Sequence, residues 1–308
     1  YKSVSNTQIE AKWDYNGTML GISTGSPYLI DLTYKDGFLT NSGAKVTSNE
    51  TAIVASRSMA DGFKVFGGIR LNQFKANINL PYGVASNIGT YSVAAGYQYA
   101  LDTGTSTGFS IGAAYEVPQI MLRASVQYNS EIKHSSAKET ETIAGTAIPA
   151  SPDDMIAPSS MLVKLRSALS PRLLAFANWR SSQYKPFKVT GNNAGGAGVE
   201  ASLYNPESGI DYTIGVALKV NESMNLALAT GKGQATDTGG LASALAPFKG
   251  SSSTTIGGSY KVSENVELNA SYSLISFGDD NAFIPPASQA PFTDNKGSRV
   301  SIGTKISF

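Results

Sequence analysis

The sequence predicts an all-β protein, a transmembrane antiparallel up-and-down β-barrel. Three observations predict it: period-two alternation along most of the 308 residues, connections that are alternately short and long, and a last strand that ends the chain on Phe308. The alternation starts with Ile9, Ala11, Trp13 and Tyr15 against Glu10, Lys12 and Asp14, and continues with Tyr28, Ile30, Leu32 and Tyr34. It recurs in Phe109/Ile111/Ala113/Tyr115/Val117 and, after a tight turn at Glu116-Val117-Pro118-Gln119, in Ile120/Leu122/Ala124/Val126/Tyr128. Later runs are Ile210/Tyr212/Ile214/Val216/Leu218/Val220, Met224/Leu226/Leu228, Ile256/Gly258/Tyr260/Val262 and Val266/Leu268/Ala270/Tyr272/Leu274. Many of these runs exceed the ~5–6 residues usual in soluble sheets and match the ~9–11 of tilted membrane-crossing strands.

Short connections are expected at Ala60-Asp61-Gly62, Val117-Pro118, Ser170-Pro171, Asn221-Glu222 and Ser263-Glu264-Asn265, and long ones at roughly 37–49, 135–158, 183–207, 232–249 and 278–294. Short turns on one side and long loops on the other are the arrangement of outer-membrane barrels, with the turns periplasmic. In that orientation Tyr28, Tyr115, Tyr260 and Phe308 fall near periplasmic strand ends and Tyr34, Tyr128, Tyr212 and Tyr272 near outer ends, as two aromatic girdles would. Val300, Ile302, Thr304, Ile306 and Phe308 share one face of the last strand, which reads as the signal for the barrel-insertion machinery. Thirteen strands are recognised, at about 6–15, 26–36, 50–58, 62–80, 90–117, 119–133, 159–168, 171–181, 208–220, 222–231, 250–262, 264–277 and 296–308, with 90–117 read as one strand extended beyond the bilayer. Bacterial barrels normally have even counts, so a strand is expected ahead of the first, and residues 1–308 are read as a single barrel whose N-terminal segment lies before Tyr1.

Composition excludes other classes. Lys+Arg number 24 against 23 Asp+Glu, a net charge of +1 that provides no basic face for nucleic acid. The absence of cysteine removes disulfides and thiolate sites. No stretch approaches the ~18 apolar residues of a spanning helix. The one histidine, His134, sits beside Ser135 and Ser136, but neighbours in an extended chain point apart, so it reads as a surface histidine rather than a base. Asp153-Asp154 and Asp279-Asp280 read as solvated loop tips, and Gly231-Lys232-Gly233 and Gly195-Gly196-Ala197-Gly198 as loop glycine without phosphate-loop spacing. No enzyme, cofactor or metal is expected.

Gly67-Gly68-Ile69-Arg70-Leu71, Leu80-Pro81-Tyr82-Gly83-Val84, Gly112-Ala113-Ala114-Tyr115-Glu116-Val117-Pro118-Gln119-Ile120, Leu122-Arg123-Ala124-Ser125, Tyr128-Asn129-Ser130-Glu131-Ile132-Lys133-His134 and Leu173-Leu174-Ala175-Phe176-Ala177-Asn178-Trp179-Arg180 form a pattern. Together these stretches resemble the FadL/TodX family of long-chain fatty acid transporters. The resemblance covers about 60–308. It implies a fourteen-stranded barrel in the bacterial outer membrane, passing hydrophobic molecules, most simply long-chain fatty acids, by diffusion. It also implies an N-terminal hatch and first strand, neither of which is recognisable here: either they lie before Tyr1, or the barrel is a hatchless variant that could not use the family's gating.

Arg70, Arg123, Lys164, Arg166 and Arg180 fall on the polar face, where a lumen arginine can pair a carboxylate through two donors; pairing with lumen Glu and Asp is the alternative for most of them. Met121, Leu174, Phe176 and Ile275 lend that face an apolar character unusual in a water-filled porin. The candidate lumen site is therefore Arg70, Arg123, Arg166, Arg180, Met121 and Phe176. A candidate landing surface on the loops comprises Leu241, Leu245, Phe248, Phe283, Ile284 and Phe292, with packing of the loops on one another as the alternative. Partners are hydrophobic small molecules or fatty acids, outer-membrane lipid and the insertion machinery. Aromatic or alkane hydrocarbons are the alternative substrate, and a general porin or an adhesive surface barrel the alternative class.

Overall fold

Thirteen long strands form one antiparallel meander: β1 Ile9–Tyr15, β2 Thr18–Gly25, β3 Gly43–Ser58, β4 Phe63–Leu80, β5 Ser106–Val117, β6 Leu122–Asn129, β7 Ser159–Ser170, β8 Leu173–Gln183, β9 Gly209–Lys219, β10 Met224–Ala235, β11 Ser251–Lys261, β12 Val266–Phe277 and β13 Lys296–Ile306. Each pairs with its neighbours in sequence. The computed structural model describes all residues except 1–2, 38, 82–83, 86–91, 94, 136–137, 150–154, 184–188, 192–200, 205–208, 236–244, 246–248 and 285–287. With thirteen alternating strands, β1 and β13 run in the same direction and form the two edges; no ladder joins them among the described residues, and no fourteenth strand is described.

The short connections all lie at one end and the long ones at the other, called here the outer end. The expected turns are present, Ala60–Gly62 and Pro118–Ile120 as single 3-10 turns. A further turn, not anticipated, is Asn16-Gly17 with φ of 50° and 75°, the pair of positive values that a two-residue hairpin turn requires. It moves the second strand: Thr18–Gly25 crosses the barrel wall, whereas Leu29–Thr33, inside the expected 26–36 strand, pairs only with Gly43–Thr47 at the outer end. Tyr28 is consequently an outer-end residue and not part of the inner girdle, and Tyr272 lies midway along β12. Of the expected strand 90–117, residues 97–117 follow one line in two pieces; Ser92–Val93 pairs instead with Val84–Ala85, and 90, 91 and 94 lie outside the described residues. Tyr97–Asp102 and Ser106–Val117 both pair with β4, either side of a break where the Phe74 N–H donates to Thr103 Oγ1 (2.8 Å) and the Thr103 N–H to the Phe74 carbonyl (3.0 Å).

Side chains that a water-soluble fold would bury stand outside. Ile9, Trp13, Ile69, Ile111, Ile214, Leu228, Ile256, Leu274 and Ile302 are all exposed, Ile302 to 84%. Alternation sends their neighbours inward, so the sheet is apolar on its convex side without an apolar centre. That inversion belongs in hydrocarbon, where the ladders between the two edges also satisfy the backbone donors and acceptors.

A conventional core exists only at the outer end. β3 and β4, of 16 and 18 residues, are longer than the ~9–11 needed to cross a bilayer. On β4 the inward face that carries Lys64, Phe66, Arg70 and Asn72 continues as Phe74, Ala76, Ile78 and Leu80, all buried. Tyr97, Tyr99 and Leu101 join them, as do Ile132 and His134 on Ile132–His134, paired with Met155–Ala157, and a strap, Lys138–Ile143, laid on Tyr97–Asp102. Leu245 and Phe292 arrive from two other loops. This cap stands at the outer end of the lumen.

His134 is inside the cap, not on the surface as expected. It is fully buried, edge-on to Phe74 with centroids 5.3 Å apart, its Nδ1 3.3 Å from the Gly104 carbonyl. Burial holds the imidazole pKa below its ordinary value. The opened cap therefore binds more protons than the closed one, and cap stability is full above the ordinary imidazole range and lost as pH falls through and below about 6.5. Amide exchange at 132–134 and 155–157, corrected for intrinsic rates, should accelerate between neutral pH and pH 5, and H134Q should flatten that dependence. On the barrel wall, L228R should lower stability by about 2–4 kcal/mol in bilayers, because the charge enters lipid near the midplane. A227R on the adjacent inward position should cost far less in the same unfolding assay.

Candidate functional site

Beneath the cap the lumen holds a cavity of about 810 Å³, lined from β1, β2, β3, β4, β6, β7 and β8. Its polar lining includes Glu10, Lys12, Asp14, Ser56, Lys64, Arg123, Ser125, Gln127, Lys164, Arg166 and Asn178; its apolar lining includes Met19, Val54, Phe66, Leu162, Leu174 and Phe176. Strand register explains how residues far apart in sequence meet here. Glu116, Arg123, Arg166, Phe176 and Gly215 are consecutive cross-strand partners from β5 to β9, and Ala114, Ser125, Lys164, Asn178 and Thr213 form the next row outward.

The charges divide into paired and unpaired groups. Glu116 is held from both sides: Arg123 Nη1 donates to Oε1 at 2.8 Å, and Lys64 Nζ lies 2.8 Å from Oε2. Lys12 lies 3.1 Å from Glu10. Arg166 and Lys164, by contrast, have no carboxylate within ion-pair distance among the described residues, and Arg123 stands beside Arg166 in the ladder. Five cations against two carboxylates in the lining make this wall electropositive.

Arg70 is engaged elsewhere. It is nearly buried, donating from Nε and Nη2 to the two oxygens of Glu50 at 3.0 and 2.7 Å and from Nη1 to the Ser130 carbonyl at 3.0 Å. Asn72 Nδ2 adds a bond to Glu50 Oε2 at 3.1 Å. This cluster ties β3, β4 and the end of β6 together under the cap and leaves Arg70 no free fork for a ligand. Arg180 faces the lumen two rows above Arg166, opposite Asp211 in the ladder.

Met121 departs from its expected place. It lies in the turn after Pro118–Ile120, at φ 51° and 60% exposed, because the 3-10 turn ends in a left-handed residue before β6 begins at Leu122. Leu245 is 5% exposed and Phe292 packs against the cap and Tyr34, so these two serve the cap's core rather than an open landing surface. Phe283 and Ile284 lie on Asp280–Ile284, paired with Ser288–Phe292. Leu241 and Phe248 lie outside the described residues.

Two lumen aromatics are seated over glycine. Phe66 partners Gly112 and Phe176 partners Gly215 in the ladder; a Cβ at 112 would stand 2.3 Å from Phe66 Cζ, and one at 215 would stand 2.5 Å from Phe176 Cζ. The rings thus lie flat along the wall and leave the lumen open. Residues that sequence reading missed, Lys12, Lys64, Phe66, Leu162 and Glu116, all occupy inward positions of an alternating strand.

An inverted membrane sheet around an electropositive and partly apolar lumen defines this molecule as a membrane-spanning β-barrel. Its fold is that of the FadL/TodX barrels. Among solved structures, a FadL homologue from Pseudomonas aeruginosa aligns with 97% of the chain and 74% of its own, at TM-score 0.68 and 13% identity. The Ralstonia pickettii toluene transporter TbuX aligns with 97% and 80%, at TM-score 0.63 and 13% identity. The monoaromatic hydrocarbon channel CymD aligns with 97% and 81%, at TM-score 0.59 and 13% identity. No family model and no curated protein sequence matches the chain.

G215A should destabilise the barrel by about 1–3 kcal/mol through overpacking. Adding F176A should recover part of that loss in denaturant titrations, since the ring is one of the groups in the way; the Leu228 carbonyl, 2.7 Å from the same Cβ position, remains.

Proposed function

We propose that this chain is an outer-membrane channel for hydrophobic molecules and that long-chain fatty acids are the substrate class. The carrying observation is the lumen cavity, in which Arg166 and Lys164 stand without carboxylate partners beside Phe66, Leu162, Leu174 and Phe176. A carboxylate bonded to that pair would leave an alkyl chain against the apolar lining, and the charge-assisted bonds would orient the molecule. The names of the structural neighbours, a FadL homologue and channels for toluene and other monoaromatic hydrocarbons, support passage of hydrophobic compounds. On this reading the chain catalyses no reaction, Arg123 keeps Glu116 neutralised, and the cap is what a substrate must pass.

Monoaromatic hydrocarbons are the second reading, favoured by the two rings, Phe66 and Phe176, on the cavity wall. The two readings separate on one variant. K164Q/R166Q should weaken oleate binding by about tenfold or more, as expected for loss of two charge-assisted bonds, and should leave toluene binding unchanged. Oleate affinity that survives the double substitution would remove the carboxylate site. A large steady ion conductance of the wild-type protein in planar bilayers would replace the channel for hydrophobic molecules with a porin.

A further inference from the structure

The convex face of β9 to β13 carries an ordered boundary. Val216, Leu228, Ile256, Tyr272 and Val300 are successive cross-strand partners and form an apolar row. Four residues further toward the outer end on each strand line, the same register aligns Tyr212, Lys232, Ser252, Ser276 and Lys296. Cross-strand partners share a face, so this row also points outward, with two lysines flanking two serines at the rim of the lipid-facing surface.

Two further observations make the row more than scattered surface charge. A cavity of about 440 Å³ opens on it, lined by Ile210, Lys232, Ser252 and Ser276 and, from the rim above, Lys249. Two outward lysines on the neighbouring outer strands have carboxylates: Lys75 Nζ is 2.8 Å from Asp102, and Lys45 Nζ 3.9 Å from Asp31. Lys249 itself lies 3.9 Å from Asp280. Lys232 and Lys296 have no carboxylate within that distance among the described residues.

We infer that this row is a binding site for the phosphorylated head group of an outer-leaflet glycolipid. Lys232 and Lys296 are three strand spacings apart, roughly 14 Å, a separation suited to a head group with a phosphate at each end. The serine hydroxyls between them donate to the sugar or phosphate oxygens. Ile210 and the apolar row below receive the acyl chains, which a free phosphate would not use. The site is on the outside of the wall, so it is independent of what passes through the lumen.

The test uses the full chain in mild detergent, with diphosphoryl lipid A as probe and its dephosphorylated form and inorganic phosphate as comparisons, read by native mass spectrometry. K232Q/K296Q should weaken lipid A binding by about tenfold or more, because two lysines at an anionic lipid surface together contribute on that scale. K232R/K296R should retain binding, K45Q/K75Q should bind as wild type does, and the dephosphorylated lipid should bind wild type and K232Q/K296Q equally weakly. Lipid A affinity unchanged in K232Q/K296Q overturns the inference, and so does displacement of lipid A from the wild type by millimolar inorganic phosphate.

Discussion

Every feature of this molecule depends on the rule that backbone polar groups in hydrocarbon must be satisfied by neighbouring strands. A sheet that obeys it offers two faces and a side-chain period of two, so each strand must sort its residues into lipid-facing and lumen-facing sets. Ile9, Trp13 and Tyr15 then take the outside while Glu10, Lys12 and Asp14 take the inside, within one short strand. The modest 41% hydrophobic content follows, since a wall one residue thick needs apolar side chains only on one face. Charges that a membrane helix could not accommodate are accepted in the lumen without penalty from the lipid.

The same geometry builds the cavity. Arg123, Arg166 and Phe176 come together because β6, β7 and β8 are zipped in a fixed register, and a slip of one residue on any strand would send that strand's contribution into lipid. Register therefore specifies chemistry as well as fold. At the outer end the solvent changes from lipid to water, and the sheet reverses its habit: the inward face of β4 becomes apolar from Phe74 onward and closes over Ile132, Tyr97 and Leu101. The Arg70–Glu50–Asn72 cluster marks the level at which one regime gives way to the other.

Much of this was legible in the sequence. From 159 onward the expected strands agree with the observed ones to within four residues at each end, because long, clean alternation bounded by short turns leaves few alternatives. Within the first 58 residues one strand departs: the expected 6–15 and 50–58 coincide with Ile9–Tyr15 and part of Gly43–Ser58, but the turn at Asn16-Gly17 gives the wall Thr18–Gly25 and leaves Leu29–Thr33 as an outer extension. Met121 alternated correctly on paper, but the left-handed residue that ends a 3-10 turn breaks parity at that point. His134 looked exposed because nothing local shows that Phe74 and Gly104, distant in sequence, will surround it. The lumen arginines were placed on the correct face, yet their separation into paired Arg70 and Arg123 and unpaired Arg166 depends on cross-strand neighbours, which alternation does not reveal.

The rings of Phe66 and Phe176 occupy space that Gly112 and Gly215 vacate, each across one ladder rung. Such positions are not free to vary singly. In related barrels, a larger residue at the glycine should be accompanied by a smaller one at the aromatic, so each pair drifts as a unit through evolution. Lumen width is then inherited through pairwise volume, and a survey that ranked sites one at a time would score the glycines as turn residues and overlook the bore they set.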